Sequence, residues 1–188
     1  MLIVFSGLDG AGKSTQIELL TKQMRAAGHR PRYLWSRGGY TPLFNALKSL
    51  LRRVSGGRTV PPSGPSAARR QAFANSRIRR LWLRLAMLDL IWLYGVQLRW
   101  WLWRGKAIIC DRYLGDTLID FQLNFPQEQV EQWVLWRLLQ RLTPSPNAAF
   151  LLLIPVEESV RRSNFKGEPF PDSPEVLAER MALYRALA

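Results

Sequence analysis

The run Gly7-Leu8-Asp9-Gly10-Ala11-Gly12-Lys13-Ser14-Thr15 is where residue types and spacing speak most directly of chemistry. It fits G-x-x-x-x-G-K-[ST], a loop whose glycines let successive backbone N–H groups curl around an anion. A helix starting at the lysine adds its positive N-terminal end. In such a loop Gly7, Asp9, Gly10, Ala11, Gly12, Lys13, Ser14 and Thr15 surround the phosphates of a nucleoside triphosphate. Lys13 reaches the β- and γ-phosphates and Ser14 ligates Mg2+. No N-K-x-D guanine signature is present, so ATP is the expected donor. A second acidic centre, Asp111-Arg112-Tyr113, closes the apolar run Ala107–Cys110. A carboxylate there can hold the magnesium through water or receive an acceptor's proton, and Arg112 can contact transferring phosphate. The bland alternative is a helix cap at Asp111 and a surface arginine at 112.

Positioning these groups requires strands that end together. Leu2–Ser6 reads as a buried strand, followed by the loop and by a helix over Lys13–Ala27 that Gly28 stops. Pro31–Trp35 reads as a second strand. Thr41–Val54 reads as a helix with Leu43, Leu47, Leu50 and Leu51 on one side. Residues 55–66, rich in Gly, Pro and Ser, read as a mobile loop. Ala67–Arg104 is expected to be largely helical. Lys106–Cys110 is a third strand, and Leu114–Phe125 and Gln127–Leu142 are expected helices. Ala148–Ile154 reads as a fourth strand and Val156–Arg162 as a helix. Ser163–Ser173 reads as a polar loop and Pro174–Ala188 as a final helix with proline at its first turn. Strands alternating with helices predict an α/β fold: a three-layer P-loop arrangement with a parallel sheet, covering 1–188 as one unit. Ligands then sit at the carboxyl ends of the strands.

Composition narrows the class. The chain has 188 residues, 47% of them hydrophobic, which is ample for one core. The single cysteine, Cys110, excludes an internal disulfide, and the first five residues do not look like a signal peptide, which points to the cytoplasm. The net charge of +13 is mostly arginine, whose planar fork suits phosphate and carboxylate ligands. No nucleic-acid fold signature accompanies that charge, so nucleic acid is not an expected partner.

With the loop and the D-R-Y in hand, the chain resembles the thymidylate kinase family of nucleoside monophosphate kinases. Its loop is similar to that family's G-x-D-G-[AS]-G-K-[ST]-[ST], and Asp111-Arg112-Tyr113 to its D-R-[YH]. The resemblance implies transfer of the γ-phosphate of ATP to a small acceptor, dTMP being the best single choice. It implies Asp9 on the acceptor's sugar hydroxyl and Arg37 on the acceptor phosphate, with Asp111 and Arg112 at the transfer. Ser163–Ser173 corresponds to the family's lid, with Arg161, Arg162 and Lys166 placed to neutralise the phosphoryl group. Two departures stand out. Arg37-Gly38-Gly39-Tyr40 keeps only part of the family's P-G-G-T run. The family also continues to a fifth strand and a helix whose loop helps hold adenine, so either this is a truncated product or the adenine site is incomplete. The alternatives are a kinase of a sugar or alcohol, and a P-loop ATPase acting as a switch.

The family reads thymine with F-x-x-x-R on a helix. Phe73-Ala74-Asn75-Ser76-Arg77 has that spacing, but lies about fourteen residues further upstream of Asp111 than the family implies, roughly 21 Å of helix. Without a gap the pocket falls near Met87–Ile91, where Asp89 stands in an apolar stretch with no basic residue three or four positions away. A buried lone carboxylate needs a partner. It is either a hydroxyl or amine of the acceptor, or an arginine from another element. Asp116 and Asp120, at helical spacing after the D-R-Y, are expected to face water rather than the acceptor. Residues 81–103 hold Trp82, Trp92, Trp100, Trp101 and Trp103 together with charged residues, which makes a poor membrane span. Burial against the sheet or in a homodimer contact suits them, and contact with a membrane surface is the other reading.

Overall fold

A computed structural model describes residues 1–36, 41, 44–46, 48, 49, 53, 67–167 and 171–187. Its centre is a sheet of parallel strands in the order β2-β3-β1-β4, comprising β1 Leu2–Gly7, β2 Arg32–Trp35, β3 Ile108–Asp111 and β4 Ala148–Leu152. The register sets Phe5 beside Asp111 and Gly7 beside Leu152, so the glycine loop and the D-R-Y leave the sheet at the same edge. β1 and β3 are apolar on both sides because helices cover both faces.

Side chains alternate across β1, and so does what they meet. Ile3 and Phe5, with Ile109 of β3, pack on Ile17 and Met24 of α1, Lys13–Ala26. Leu2, Val4, Ile108 and Cys110 pack on the opposite side, against α3, Ser76–Trp103. Short α2, Ala67–Ala74, precedes α3. After β3 come α4, Leu114–Asn124, and α5, Val134–Leu142; after β4 come α6, Val156–Lys166, and α7, Pro174–Leu187. Leu177 and Tyr184 of α7 meet Leu8 and Ile119, which seats α7 against the loop after β1. α3 is long and apolar enough to cross a membrane by length and composition. One side of it, however, is core: Leu83, Ala86, Met87, Leu90, Tyr94 and Leu98 are fully buried.

The stretch 67–104 is largely helical, as expected; Asn75 interrupts it and caps α3, its side chain accepting from Arg77 N at 3.0 Å. α3 also widens to a π-helical segment over Ile91–Leu98, where Gly95 lets α5 approach; Leu142 Cβ lies 3.2 Å from where a Cβ on Gly95 would stand. The helix expected over Gln127–Leu142 begins only at Val134. Left-handed Gln129 (φ 43°) and extended Trp133 divide the preceding residues into 3-10 turns over Pro126–Glu128 and Val130–Gln132. α6 also differs from expectation: it runs past Arg162 to Lys166, so Ser163 is a buried helical residue and not the start of a loop; Gly167, at φ 63°, ends the helix. Of the helix expected over Thr41–Val54, residues 44–46, 48, 49 and 53 are helical; Leu43, Leu47, Leu50 and Leu51 lie outside the described residues, as do Arg37–Tyr40, the loop 55–66, and 168–170 of the expected lid.

Candidate active site

The loop after β1 has the backbone that its glycines imply. Gly7 has φ 133°, and a Cβ there would stand 2.0 Å from Leu152 O, so no other residue fits beside β4. Gly10 and Gly12 are also left-handed, at φ 75° and 90°. α1 then starts with no side-chain cap and no acid in its first turn, leaving its N–H groups open toward an anion. Lys13 is buried, and its Nζ donates to Gly7 O at 2.9 Å and Leu8 O at 2.7 Å. Burial pushes its pKa down, helped by nearby Arg112 and opposed by Asp9 and Asp111. Ser14 and Thr15 are exposed on the first turn of α1.

Asp9 stands between two cations. Its Oδ1 lies 3.7 Å from Lys13 Nζ and accepts from Arg112 Nη2. Arg112 is buried and left-handed, at φ 72°, an uncommon conformation for a side chain of that size, and it aims the guanidinium back across the end of β1. Burial alone would push its pKa down; Asp9, Asp120, Tyr184 and Asp116 hold it above the ordinary arginine value instead. Asp111 accepts a hydrogen bond from Tyr33 Oη at 2.9 Å on Oδ2, while its buried Oδ1 has no partner among the described residues. Burial and that bond raise the Tyr33 pKa, so it remains a donor.

Asp116 and Asp120 do not face water. Asp116 is 1% exposed and accepts from Ser6 Oγ (2.6 Å), Tyr113 N (2.8 Å) and Tyr184 Oη (2.6 Å). Asp120 pairs with buried Arg180 at 2.7 Å, and Arg180 reaches Asp172 at 3.1 Å. α7 thus braces both the glycine loop and the D-R-Y. From α6, Ser159 Oγ donates to Asp9 O at 2.7 Å and Arg162 Nη1 to Gly10 O at 2.9 Å. Arg161 is mostly exposed and pairs with Glu158. Glu158 also takes Arg162, and the two guanidiniums hold its carboxyl down at about 2. Lys166 is exposed at the end of α6.

The acceptor residues separate. Phe73, on α2, is buried edge-on against Phe125 (5.1 Å between ring centres) and Trp82 (5.8 Å). Arg77 is exposed in the first turn of α3, beyond the break at Asn75. The two do not form a pair on one helix, because Asn75 interrupts the i, i+4 geometry that the motif needs. Asp89 is 6% exposed, and its Oδ2 accepts from Thr41 Oγ1. Thr41 Oγ1 in turn accepts from Phe44 N at 3.2 Å, the arrangement of a helix cap. Asp89 Oδ1 is buried without a partner among the described residues. Burial raises the Asp89 pKa against the pull of Thr41 and Lys48. Just beyond Asp89 on α3, Tyr94 meets Ser36 Oγ at the end of β2 and lies 4.7 Å, ring to ring, from Tyr113. Arg37 lies outside the described residues.

Tyr33, Ser6, Ser159, Arg180 and Tyr184 take part in this arrangement and were not singled out from sequence. Leu177, Arg180 and Tyr184 share i, i+3, i+7 spacing, a signal of one helix face but not of what that face meets.

A glycine loop holding a buried lysine, with an aspartate and an arginine at the end of the adjacent parallel strand, defines a P-loop phosphotransferase. Over residues 5–186 the chain matches the model of the family described as thymidylate kinase. It is 29% identical to a thymidylate kinase of Desulfotalea psychrophila, an alignment covering all of this chain and 81% of that one. It is 26% identical to a probable thymidylate kinase of Methanocaldococcus jannaschii over 88% of this chain and 71% of the other. With a thymidylate kinase of Thermomicrobium roseum the identity is 30%, over 85% and 66%. The chain belongs to the thymidylate kinase family, and is a nucleotide kinase-like transferase with the P-loop fold.

Proposed function

We propose that the protein transfers the γ-phosphate of ATP to the phosphate of a nucleoside monophosphate, dTMP first among them. The observation that carries this reading is the convergence of Lys13, Asp9, Arg112 and the open Oδ1 of Asp111 where β1 and β3 end. An acceptor phosphate oxygen attacks the γ-phosphorus, the bond to the β,γ-bridging oxygen breaks, and ADP leaves. Lys13 would exchange its carbonyl partners for the β- and γ-phosphates. Arg112 would turn from Asp9 to the transferring group, whose charge spreads in the transition state. Asp9 is then free to accept from the acceptor's sugar hydroxyl.

The residues present fit a magnesium ion. Asp111 offers a buried oxygen without a partner among the described residues, Ser14 a hydroxyl at the start of α1, and both are the hard oxygen ligands Mg2+ takes alongside phosphates. Bound there, the ion would neutralise charge on the β- and γ-phosphates. A second acceptor class is favoured by one observation: Phe73 and Arg77 do not meet, while Asp89 has one oxygen without a partner among the described residues. That arrangement suits an acceptor with a hydroxyl or amine to donate. The test is a panel of nucleoside monophosphates, nucleosides and sugars with ATP and Mg2+, following both ADP release and the phosphorylated product. Formation of dTDP supports the first reading. ADP released at the same rate with no acceptor present would sink both and leave a hydrolytic switch.

A further inference from the structure

Successive residues of β2 point to opposite faces of the sheet. Arg32 and Leu34 lie on the α3 side: the Arg32 guanidinium is 3.9 Å from the centre of the Trp101 ring, and Leu34 packs into the same core. Tyr33 and Trp35 therefore stand on the α1 side. In the parallel register Tyr33 is beside Ile109 and Trp35 beside Asp111. Asp111 is thus the diagonal neighbour of Tyr33, two residues further along β3. A long aromatic side chain spans that diagonal, and Tyr33 Oη donates to Asp111 Oδ2 at 2.9 Å.

This bond makes the two oxygens of Asp111 unequal. Oδ2 is committed to the tyrosine, while buried Oδ1 has no partner among the described residues. Tyr33 is 54% exposed and Asp111 only 7%, so the ring reaches inward from the sheet edge with its hydroxyl, and core packing is not its main role. Tyr33 also lines, with Ser14, Ile17 and Thr21, a cavity of about 440 Å3. The residue that grips Asp111 and the hydroxyl of Ser14 thus share one wall. The charge of Asp111 is felt at Lys13. A carboxylate free to turn would be drawn toward that cation, and its second buried oxygen would need another donor. Held by the phenol, it presents Oδ1 alone, in one direction.

We propose that Tyr33 is a positioning residue for the kinase reaction, locking Asp111 so that Oδ1 faces the magnesium site. The inference rests on the reading of Asp111 as a magnesium ligand, and the experiment separates the two. The full chain and its Tyr33→Phe, Asp111→Asn and double variants are titrated with Mn2+ beside a non-hydrolysable ATP analogue, following the electron spin resonance of the free ion. The analogue is also titrated without metal. Tyr33→Phe keeps the ring and removes only the donor. It should weaken Mn2+ binding roughly tenfold, the scale of losing a group that orients a metal ligand. Metal-free binding of the analogue should not change, and the substitution should add nothing in the Asp111→Asn background. In the kinase assay the Mg2+ concentration for half-maximal rate should rise by a similar factor, with kcat at saturating Mg2+ falling less than about threefold. Wild-type Mn2+ binding by Tyr33→Phe, beside weakened binding by Asp111→Asn, would overturn the role of Tyr33 and leave Asp111 as a ligand. Equal weakening by Tyr33→Phe with Asn at 111 would also overturn it, because the hydroxyl would then act by another route. So would an equal loss of metal-free analogue binding, which would mean general damage to the loop. Wild-type Mn2+ binding by Asp111→Asn would instead remove Asp111 from the metal site, and the role of Tyr33 with it.

Discussion

The two sides of the candidate site are built on different principles. On the nucleotide side, Lys13, Arg112, Asp116, Arg180 and Tyr184 are buried and each is held by groups from other elements. One carboxylate oxygen, on Asp111, has no partner among the described residues. On the side proposed for the acceptor, rings pack on rings: Phe44 on Trp82 at 4.7 Å, Phe73 on Phe125, Tyr94 on Tyr113. Asp89 is a lone acid among them, half satisfied by a threonine. A site whose charges are fixed before the ligand arrives can stabilise a spreading negative charge with little reorganisation. A site of packed rings with one open oxygen can instead discriminate among ligands by a single hydrogen bond. Damage to the first should therefore appear as lost rate, and damage to the second as changed preference.

Lys13→Ala should show the largest effect, a fall in kcat of at least about 10²–10³-fold, the scale of losing one preorganised donor. The melting temperature should fall too, because the carbonyls of Gly7 and Leu8 lose their donor. Wild-type turnover from a folded variant would remove the loop from the chemistry. Asp111→Asn should lower kcat by about 10²-fold while ATP affinity, measured by titration, changes little. An equal rate with asparagine would reduce Asp111 to a partner for Tyr33.

Next come the two arginines of α6, which the structure separates. Arg162 lies on the glycine loop through Gly10 O, whereas Arg161 reaches only Glu158 in the described contacts. Arg162→Ala should cut kcat about tenfold with acceptor KM unchanged, and Arg161→Ala by less. The reverse ranking would mean that α6 rotates when the nucleotide binds.

The smallest change in rate and the largest in preference should follow Asp89→Asn. The ranking of acceptors should shift roughly ten- to hundredfold at constant ATP affinity. A melting series in pH gives an independent readout. The folded pKa of Asp89 is raised, so its neutral form is favoured in the folded chain and stability is lost as pH rises from the ordinary carboxylate range through the raised value. Asparagine does not titrate. The melting temperature of the variant relative to wild type should therefore climb with pH across that window, and a flat difference would show that Asp89 is not strained by burial.

The contrast between the sides also explains what could be read in advance. The glycine loop and the D-R-Y are contiguous in sequence, and their chemistry needs neighbours at fixed short offsets. The strands that carry them were legible for the same reason. The partners of Asp116 and Asp120 are remote, which hides their burial from the sequence: Tyr184 is 68 residues from Asp116 and Arg180 is 60 from Asp120. Helical spacing says which residues share a face and nothing of what a distant helix lays on it. Phe73 and Arg77 had the right spacing on the assumption of a continuous helix, and one asparagine that prefers to cap rather than continue broke it. The polarity of the residues after Arg162 suggests an end to α6 there, whereas the left-handed Gly167 is what stops it.

Cys110 lies at the centre of β3, fully buried, with burial pushing its thiol up to about 12. A thiol so protonated and enclosed cannot react with alkylating reagents until the strand leaves its neighbours. Because the chain has no other cysteine, its labelling rate is a clock for opening at the middle of the sheet. Nucleotide binding at the end of the same strand should slow that clock by the factor 1 + [L]/Kd, so affinity can be measured on the unliganded and liganded protein without following any reaction at all.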